Sequence, residues 1–129
     1  MKRVITFGTF DLFHLGHLSL LERARNQGDW LIVGVSTDRL NESKKGRPPV
    51  YPEGERMRIV QALRVVDEVF PEESLEQKEH YIRLYNAQVL VMGDDWAGRF
   101  DTFRNLCDVV YLPRTPSIST TATIERIRV

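Results

Sequence analysis

The chain has 129 residues, 42% of them hydrophobic and 28% charged, which is ordinary for one globular domain. Eighteen basic residues balance eighteen acidic ones, so no net charge attracts nucleic acid or an anionic membrane. The single cysteine, Cys107, excludes an internal disulfide framework, and the apolar run before Gly8 is too short for a signal peptide or a membrane span. We therefore expect one cytoplasmic domain over residues 1–129, with no nucleic-acid partner and no membrane insertion.

Taken in chain order, apolar runs and helical spacing predict alternating strands and helices. The first half predicts a strand over residues 4–7, a turn over 8–17, a helix that starts near Leu18 and stops at Gly28, a strand over 30–36, a polar loop over 41–52 and a helix over 53–63. The second half predicts a short strand over 65–70 ended by Pro71, a helix over 75–85 stopped by Asn86, a strand over 89–92, a helix over 100–106, a strand over 109–112 and a closing helix over 120–128 capped by Ser119.

This alternation predicts an α/β fold with a doubly wound parallel sheet. In such sheets, ligands bind beyond the carboxyl ends of the strands. Polar stretches follow strand ends at residues 8–17, 37–38, 93–96 and 114–121. We therefore expect these four stretches to converge on one cleft.

The turn over residues 8–17 has the features of an anion site. A strand, a glycine turn and a helix start place unpaired N–H groups at the sheet edge, and Gly8 and Gly16 leave room for a phosphate to approach the backbone. His14 and His17 are three residues apart and can reach one bound group. Alternatively, the two histidines cap or pack the helix, or bind zinc, although His80 and Cys107 lie at no ligand-like spacing.

Two further stretches are rich in anion-binding groups. Arg114 precedes three hydroxyl residues, Ser119, Thr120 and Thr121, at a predicted helix start. The alternative there is a capped helix beside a solvated arginine. The polar loop carries Lys44 and Lys45, which either form a solvated charge cluster or close over a triphosphate.

These motifs carry a family resemblance. The run GTFD at residues 8–11, followed by HLGH at 14–17, resembles the signature of the nucleotidyltransferases with the HxGH motif. The runs RTPSISTT at 114–121 and RVVDEV at 64–69 are similar to segments of the cytidylyltransferase branch, which has a glycine where this chain has Ser117.

The resemblance implies a Rossmann-like, five-stranded parallel sheet of order 3-2-1-4-5 with helices on both faces. It implies a nucleotidyltransferase domain that transfers CMP from CTP, with Mg²⁺, to a small phosphorylated alcohol. Glycerol 3-phosphate is the first expectation, giving CDP-glycerol and pyrophosphate for a teichoic-acid-type cell wall. The small-molecule substrates are then CTP and this acceptor, and a homodimer is expected.

The resemblance also assigns roles to individual residues. The catalytic residues are His14, His17 and a loop lysine, either Lys45 or Lys44. The nucleotide-binding residues are Gly8, Thr9, Phe10, Asp11, Gly16, Arg56, Arg64, Gly93, Asp94, Arg114, Ser119, Thr120 and Thr121. The acceptor-binding residues are Asp11, Asp38 and Lys78, and no residue is assigned to a protein-held metal. Without the resemblance, Arg56 and Arg64 are helix surface charges and Lys78 is an exposed helix lysine.

Two other functions remain open at this point. One is an adenylyltransferase of the same superfamily that uses ATP, although the segments at 64–69 and 114–121 favour CTP. The other is a phosphate-binding regulatory module without catalysis, which the complete histidine pair and lysine loop disfavour.

Overall fold

Five parallel strands form one sheet with the order β3-β2-β1-β4-β5. The strands are β1 (Arg3–Gly8), β2 (Trp30–Ser36), β3 (Glu68–Glu72), β4 (Val89–Gly93) and β5 (Asp108–Leu112). The structure is a computed structural model and describes residues 1–114, 121, 124 and 127. The doubly wound sheet and its strand order are confirmed.

The α-helices are α1 (Leu15–Arg25), α2 (Asp38–Lys45), α3 (Glu53–Gln61) and α4 (Lys78–Leu84). Short 3₁₀ helices cover Leu75–Gln77, Asp94–Trp96 and Asp101–Asn105. The predicted helix over 75–85 is a 3₁₀ turn followed by α4. The predicted helix over 100–106 is a 3₁₀ helix and not an α-helix. Most of the predicted closing helix lies outside the described residues. Of the described helices, none has the length and apolar character needed to cross a membrane.

The sheet separates two hydrophobic cores because neighbouring residues of a strand face opposite sides. Val4 belongs to one core and Ile5 to the other. Leu21 of α1 and Val60 of α3 pack in the first core, and Tyr81 of α4 packs in the second. Helices therefore cover both faces, as predicted, and every side chain of β1 from Val4 to Phe7 is buried.

The prediction of a polar loop over residues 41–52 is wrong in its first part. Residues 38–45 form α2, in which the hydroxyl of Thr37 accepts a hydrogen bond from the N–H of Leu40 at 3.1 Å. Gly46 ends the helix with φ of 76°, a left-handed conformation that glycine adopts without strain. The loop is thus shorter than expected, and Lys44 and Lys45 lie in the last turn of a helix.

The predicted third strand is displaced. It starts at Glu68 rather than at Val65, and it continues through Pro71, which pairs in register with Val35. Proline lacks the N–H needed in a central strand, but β3 is the edge of the sheet, where this donor is not required. Because β3 continues to Glu72, this carboxylate lies at the carboxyl edge of the sheet.

Candidate active site

A cavity of about 670 Å³ opens at the carboxyl edge of the sheet. It lies at the ends of β1 and β4, the adjacent strands from which the sheet grows in opposite directions. The predicted site residues that line it are Gly8, Thr9, Phe10, Asp11, His14, Gly16, His17, Lys45, Gly93, Arg114 and Thr121. Three of the four predicted polar stretches therefore meet in one cavity, and residues 37–38 do not line it.

The turn after β1 is held in an unfavourable backbone conformation. Phe10 and Leu12 have φ of 55° and 46°, in the left-handed region that costs a non-glycine residue about 1–2 kcal/mol. Phe10 is buried, and a Cβ on Gly8 would lie 2.8 Å from its ring. Such a turn persists only if its surroundings hold it firmly.

Asp11 supplies part of that support. Its carboxylate accepts hydrogen bonds from the backbone N–H groups of Val50 at 2.7 Å and Tyr51 at 2.9 Å, and also from Leu12 at 3.1 Å. Asp11 therefore ties the turn to the segment after α2, besides lining the cavity.

The Nδ1 atoms of His14 and His17 cap the first turn of α1. His14 is the N-cap, and its Nδ1 accepts a hydrogen bond from the N–H of Gly16 at 3.0 Å. The Nδ1 of His17 accepts one from the N–H of His14 at 3.2 Å, which completes a capping box. Since each Nδ1 accepts, the proton of each neutral ring is on Nε2. The capping interpretation of the histidines is therefore right about Nδ1 and leaves both Nε2–H groups as donors.

Both rings are held in the neutral form. They stack with centroids 3.8 Å apart. Burial lowers the pKa of His14. Burial, and then the charge that His14 would carry, lower the pKa of His17 to about 4, although the charge of Asp11 opposes this shift. A proton on either Nδ1 would also break a capping bond. At neutral pH, the pair therefore presents two uncharged donors.

The Nε2 of His14 is buried and has no hydrogen-bond partner within the described part of the chain. An unpaired buried donor is costly in a folded protein and is rarely left so without a function. A phosphate oxygen bound in the cavity would satisfy it.

The cavity is rich in positive charge. Arg23, Lys45, Arg47 and Arg114 line it, against the carboxylates of Asp11 and Asp95. Asp95 lies 4.0 Å from Arg114 at the exposed mouth. Lys45, rather than Lys44, is the α2 lysine that lines the cavity. Burial and the charge of Lys45 lower the pKa of Lys44, while the carboxylate of Glu72 opposes this shift.

Arg56 lies behind the cavity instead of lining it. Its side chain is 0% exposed and donates to the carbonyl oxygens of Thr9 at 2.8 Å, Ser36 at 2.7 Å and Tyr51 at 2.9 Å. It also forms an ion pair with Asp38 at 2.8 Å. The expectation that Arg56 contacts the nucleotide is corrected, because its guanidinium has no exposed surface and binds the protein's own backbone.

Four other predicted residues also lie away from the cavity wall. Arg64 is exposed in the turn after α3, rather than on a helix, and Asp38 is paired with Arg56. Lys78 is 4% exposed, forms an ion pair with Glu72, and lies 4.4 Å from the ring centroid of Phe7. The alternative of an exposed helix lysine is therefore wrong.

The fourth is Asp94, which is exposed and does not line the cavity, whereas the adjacent Asp95 does. Both carboxylates lie in the 3₁₀ turn after β4, so neighbouring side chains point in different directions. Ser119 and Thr120 are outside the described residues.

Sequence reasoning missed several cavity residues. Arg23 lies on α1 and donates from Nη1 to the carbonyl of Pro113 at 2.9 Å, next to Arg114. Asn41 is buried in α2, a helix that was not predicted. Helical spacing from Gly16, seven residues earlier, would have placed Arg23 on the same face of α1, but nothing in the sequence marks Asn41.

The described residues do not form a metal site made of protein ligands alone. In the ranges that the structure describes, no group of at least three His, Cys, Asp or Glu side chains could hold a metal ion. The cavity instead contains groups that suit an anion: the neutral donors of His14 and His17, and the cations of Arg23, Lys45, Arg47 and Arg114.

The fold and this cavity define an α/β protein whose sheet has, at its switch point, a cavity lined by groups that suit an anion. Residues 5–126 match the family described as cytidylyltransferase-like. The chain is 51% identical over 127 residues to the glycerol-3-phosphate cytidylyltransferase of Bacillus subtilis, covering 98% of each. It is 51% identical over 121 residues to the enzyme of the same name from Bacillus spizizenii, covering 94% of this chain and 93% of that one. The chain therefore belongs to the cytidylyltransferase-like family.

A solved structure supports the fold. The lipopolysaccharide core biosynthesis protein of Thermoplasma volcanium superposes with a TM-score of 0.75 at 22% identity, covering 89% of this chain and 98% of the other. At that identity, the likeness concerns the architecture alone.

Proposed function

We propose that this chain is a nucleotidyltransferase that transfers CMP from CTP to glycerol 3-phosphate, giving CDP-glycerol and pyrophosphate. A phosphate oxygen of the acceptor forms a bond to the α-phosphorus of CTP. The bond from that phosphorus to the bridging oxygen breaks, and its electron pair leaves with pyrophosphate. The observation that carries this proposal is the pair of Nε2–H donors, held by backbone bonds to both Nδ1 atoms, in a chain of this family.

The site needs no general base, because the attacking phosphate is already an anion at neutral pH. It has to align the reactants and stabilise the charge that accumulates on the oxygens around the α-phosphorus. His14 and His17 donate from Nε2 to these oxygens. Because both rings stay neutral, their donor ability does not change near neutral pH.

Cationic side chains complete the charge balance. Lys45 and Arg47 face the cavity from α2 and the loop after it, and Arg114 faces it from the end of β5. We assign these cations to the phosphates of CTP, with the backbone N–H groups of the turn after β1.

Mg²⁺ is proposed to accompany CTP. The cavity residues fit such an ion, since Asp11 and Asp95 offer carboxylate oxygens, and Mg²⁺ is usually held by one or two carboxylates together with substrate phosphates and water. When bound, the ion neutralises part of the triphosphate charge.

The preference for CTP is supported by the relatives, which are cytidylyltransferases. A carboxylate such as Asp95 could accept from the exocyclic amine of either cytosine or adenine, so it does not choose between CTP and ATP. The same relatives support glycerol 3-phosphate as the acceptor and do not favour the ATP or the regulatory alternative.

The setting of the reaction is a further part of this proposal. We place the enzyme in the cytoplasm as a homodimer that supplies CDP-glycerol for cell-wall synthesis. Light scattering on the purified chain tests the homodimer directly, and a monomer at working concentration would reject it.

The deciding experiment measures pyrophosphate release with Mg²⁺, pairing CTP or ATP with a panel of phosphorylated alcohols and sugars. We expect turnover with CTP and glycerol 3-phosphate well above every other pair. Faster turnover with ATP would favour the adenylyltransferase alternative, and no release with any pair would return the regulatory alternative to consideration.

A further inference from the structure

Asn41 has no assigned role, yet its side chain is 1% exposed and fully bonded at the edge of the cavity. Its Nδ2 donates to the hydroxyl of Ser36 at 2.9 Å and to the carbonyl of Thr37 at 2.9 Å. Its Oδ1 accepts a hydrogen bond from the hydroxyl of Thr9 at 3.0 Å. A buried amide that is satisfied at both ends has one fixed orientation.

These bonds close into a ring of three side chains. Thr9 Oγ1 and Ser36 Oγ are 3.0 Å apart. Because Thr9 gives its only hydroxyl proton to Asn41, Ser36 is the donor of this pair, and the carbonyl oxygen of Gly8 is a second, more distant acceptor for the Ser36 hydroxyl at 3.4 Å. The ring then runs from Asn41 to Ser36, from Ser36 to Thr9 and from Thr9 back to Asn41. Each member donates once and accepts once within it.

The ring joins two parts of the site that the chain separates. Thr9 is adjacent to Phe10, the first of the two left-handed residues in the turn that leads to His14. Asn41 lies one helical turn before Lys45, which lines the cavity from the same helix. The side chain of Asn41 therefore links the histidine turn with the helix that carries the loop lysine.

We propose that Asn41 is a positioning residue for nucleotidyl transfer. Acting through the hydroxyl of Thr9, it holds the strained turn and keeps Lys45 in register with the histidines. This inference rests on the proposed function for its kinetic readout. It also predicts that the Thr9 hydroxyl has no proton to give a phosphate, so this residue meets the nucleotide through its backbone.

The test is a double-mutant cycle of Asn41→Ala and the isosteric Thr9→Val, with CTP, Mg²⁺ and glycerol 3-phosphate. Displacing reacting groups by about 1 Å costs on the order of 100-fold in rate. We therefore expect Asn41→Ala to lower kcat by about 10- to 100-fold with little change in KM. The double variant should be no slower than the slower single variant, since both changes break one ring.

The matched control is Thr37→Val, which removes the α2 N-cap bond to Leu40 without touching the ring. It should lower Tm and leave kcat unchanged, which separates positioning from general loosening of α2. Multiplicative losses in the cycle, or an equal loss of kcat in the control at matched Tm, would overturn the proposal.

A second readout does not depend on turnover. Amide hydrogen exchange over residues 8–17 should accelerate in Asn41→Ala and Thr9→Val, and not in Thr37→Val. If the wild type releases no pyrophosphate, the proposed function fails while this measurement still decides the role of Asn41. Unchanged exchange in Asn41→Ala would reject the positioning role whatever the substrate.

Discussion

At the scale of single residues, the two ring nitrogens of His14 have different hydrogen-bonding environments. Its Nδ1 caps α1, and its buried Nε2–H has no partner in the described part of the protein. Capping and function were alternatives from the sequence. The two roles are compatible, because imidazole has two nitrogens: Nδ1 is used by the cap, and Nε2 is the proposed donor.

Because the cap uses Nδ1 and the proposed donor is Nε2, substitutions of His14 should separate the loss of capping from the loss of activity. In His14→Asn, the side-chain oxygen can still cap α1, since asparagine is among the best N-caps, but the Nε2–H donor is gone. We expect kcat to fall by about 10²–10³-fold, the usual loss for one oxyanion donor, with little change in stability. His14→Ala should lose the same activity and about 1 kcal/mol of stability as well. Steady-state kinetics and urea unfolding of the two variants check this, and near-normal turnover in either would contradict the assigned role.

The pKa of His17 has a consequence for stability. Native His17 has a pKa of about 4, whereas an unfolded histidine titrates near 6.5. The unfolded chain thus binds a proton first as the pH falls below about 6.5, and the free energy of unfolding decreases toward pH 4. The contribution is at most about 1.4 kcal/mol per pH unit.

Urea unfolding between about pH 7 and 5 measures this slope. His17→Asn should have a shallower slope than the wild type, and the exposed His80→Asn serves as the control. An equal slope in His17→Asn and the wild type would show that His17 is not the residue responsible.

The acidic pair after β4 marks the limit of sequence reasoning for single residues. The motif places two carboxylates at the right strand end, but only the geometry of the 3₁₀ turn decides that Asp95 faces the cavity and Asp94 does not. Side-chain direction in a short irregular turn has no period that could be read from the sequence.

At the scale of elements, the other strands were predicted, β3 was displaced, and α2 was missed. Buried strands are continuous apolar runs, as in β2, whereas α2 has only Leu40 as a large apolar residue. Its helical state depends on the Thr37 cap, on Gly46 and on buried bonds of Asn41. Local capping and side-chain bonds thus stabilise a helix that apolar periodicity alone would leave as a loop.

The link between β3 and α4 is an ion pair in an apolar setting. Glu72 and Lys78 are both buried, so removing one charge leaves the other unpaired. Lys78→Met should cost about 3–5 kcal/mol, and adding Glu72→Leu should restore most of it. Urea unfolding of the single and double variants tests this.

The KM of the double variant for glycerol 3-phosphate tests the acceptor role assigned to Lys78. We expect it unchanged, since the ammonium is buried and neutralised by Glu72. A raised KM in a stable double variant would show that Lys78 binds the acceptor.

At the scale of the whole molecule, a chain of zero net charge concentrates cations in one cavity. The topology explains this concentration, because a parallel sheet brings all carboxyl ends of its strands to one edge. The meeting of the motifs was therefore accessible from the alternation of strands and helices, whereas the strand order came from the family resemblance. The buried network of Arg56 was not, since no pattern distinguishes it from a surface arginine.

Ligand binding to this cavity should stabilise the whole fold. With Mg²⁺, CTP at about 100 times its Kd should raise the free energy of unfolding by about 2.7 kcal/mol. ATP at the same concentration should raise it less, and Arg114→Gln should reduce the effect of CTP. Thermal shift measures both, and equal stabilisation by the two nucleotides would remove the base preference.

Arg56 has a consequence for how this protein tolerates sequence change. Three of its partners are main-chain carbonyls, at Thr9, Ser36 and Tyr51. A hydrogen bond to a main-chain carbonyl oxygen does not depend on which side chain that residue carries. At Tyr51, whose side chain takes no part in these bonds, the residue can therefore change while the segment keeps its spacing from the turn after β1, provided Arg56 is retained.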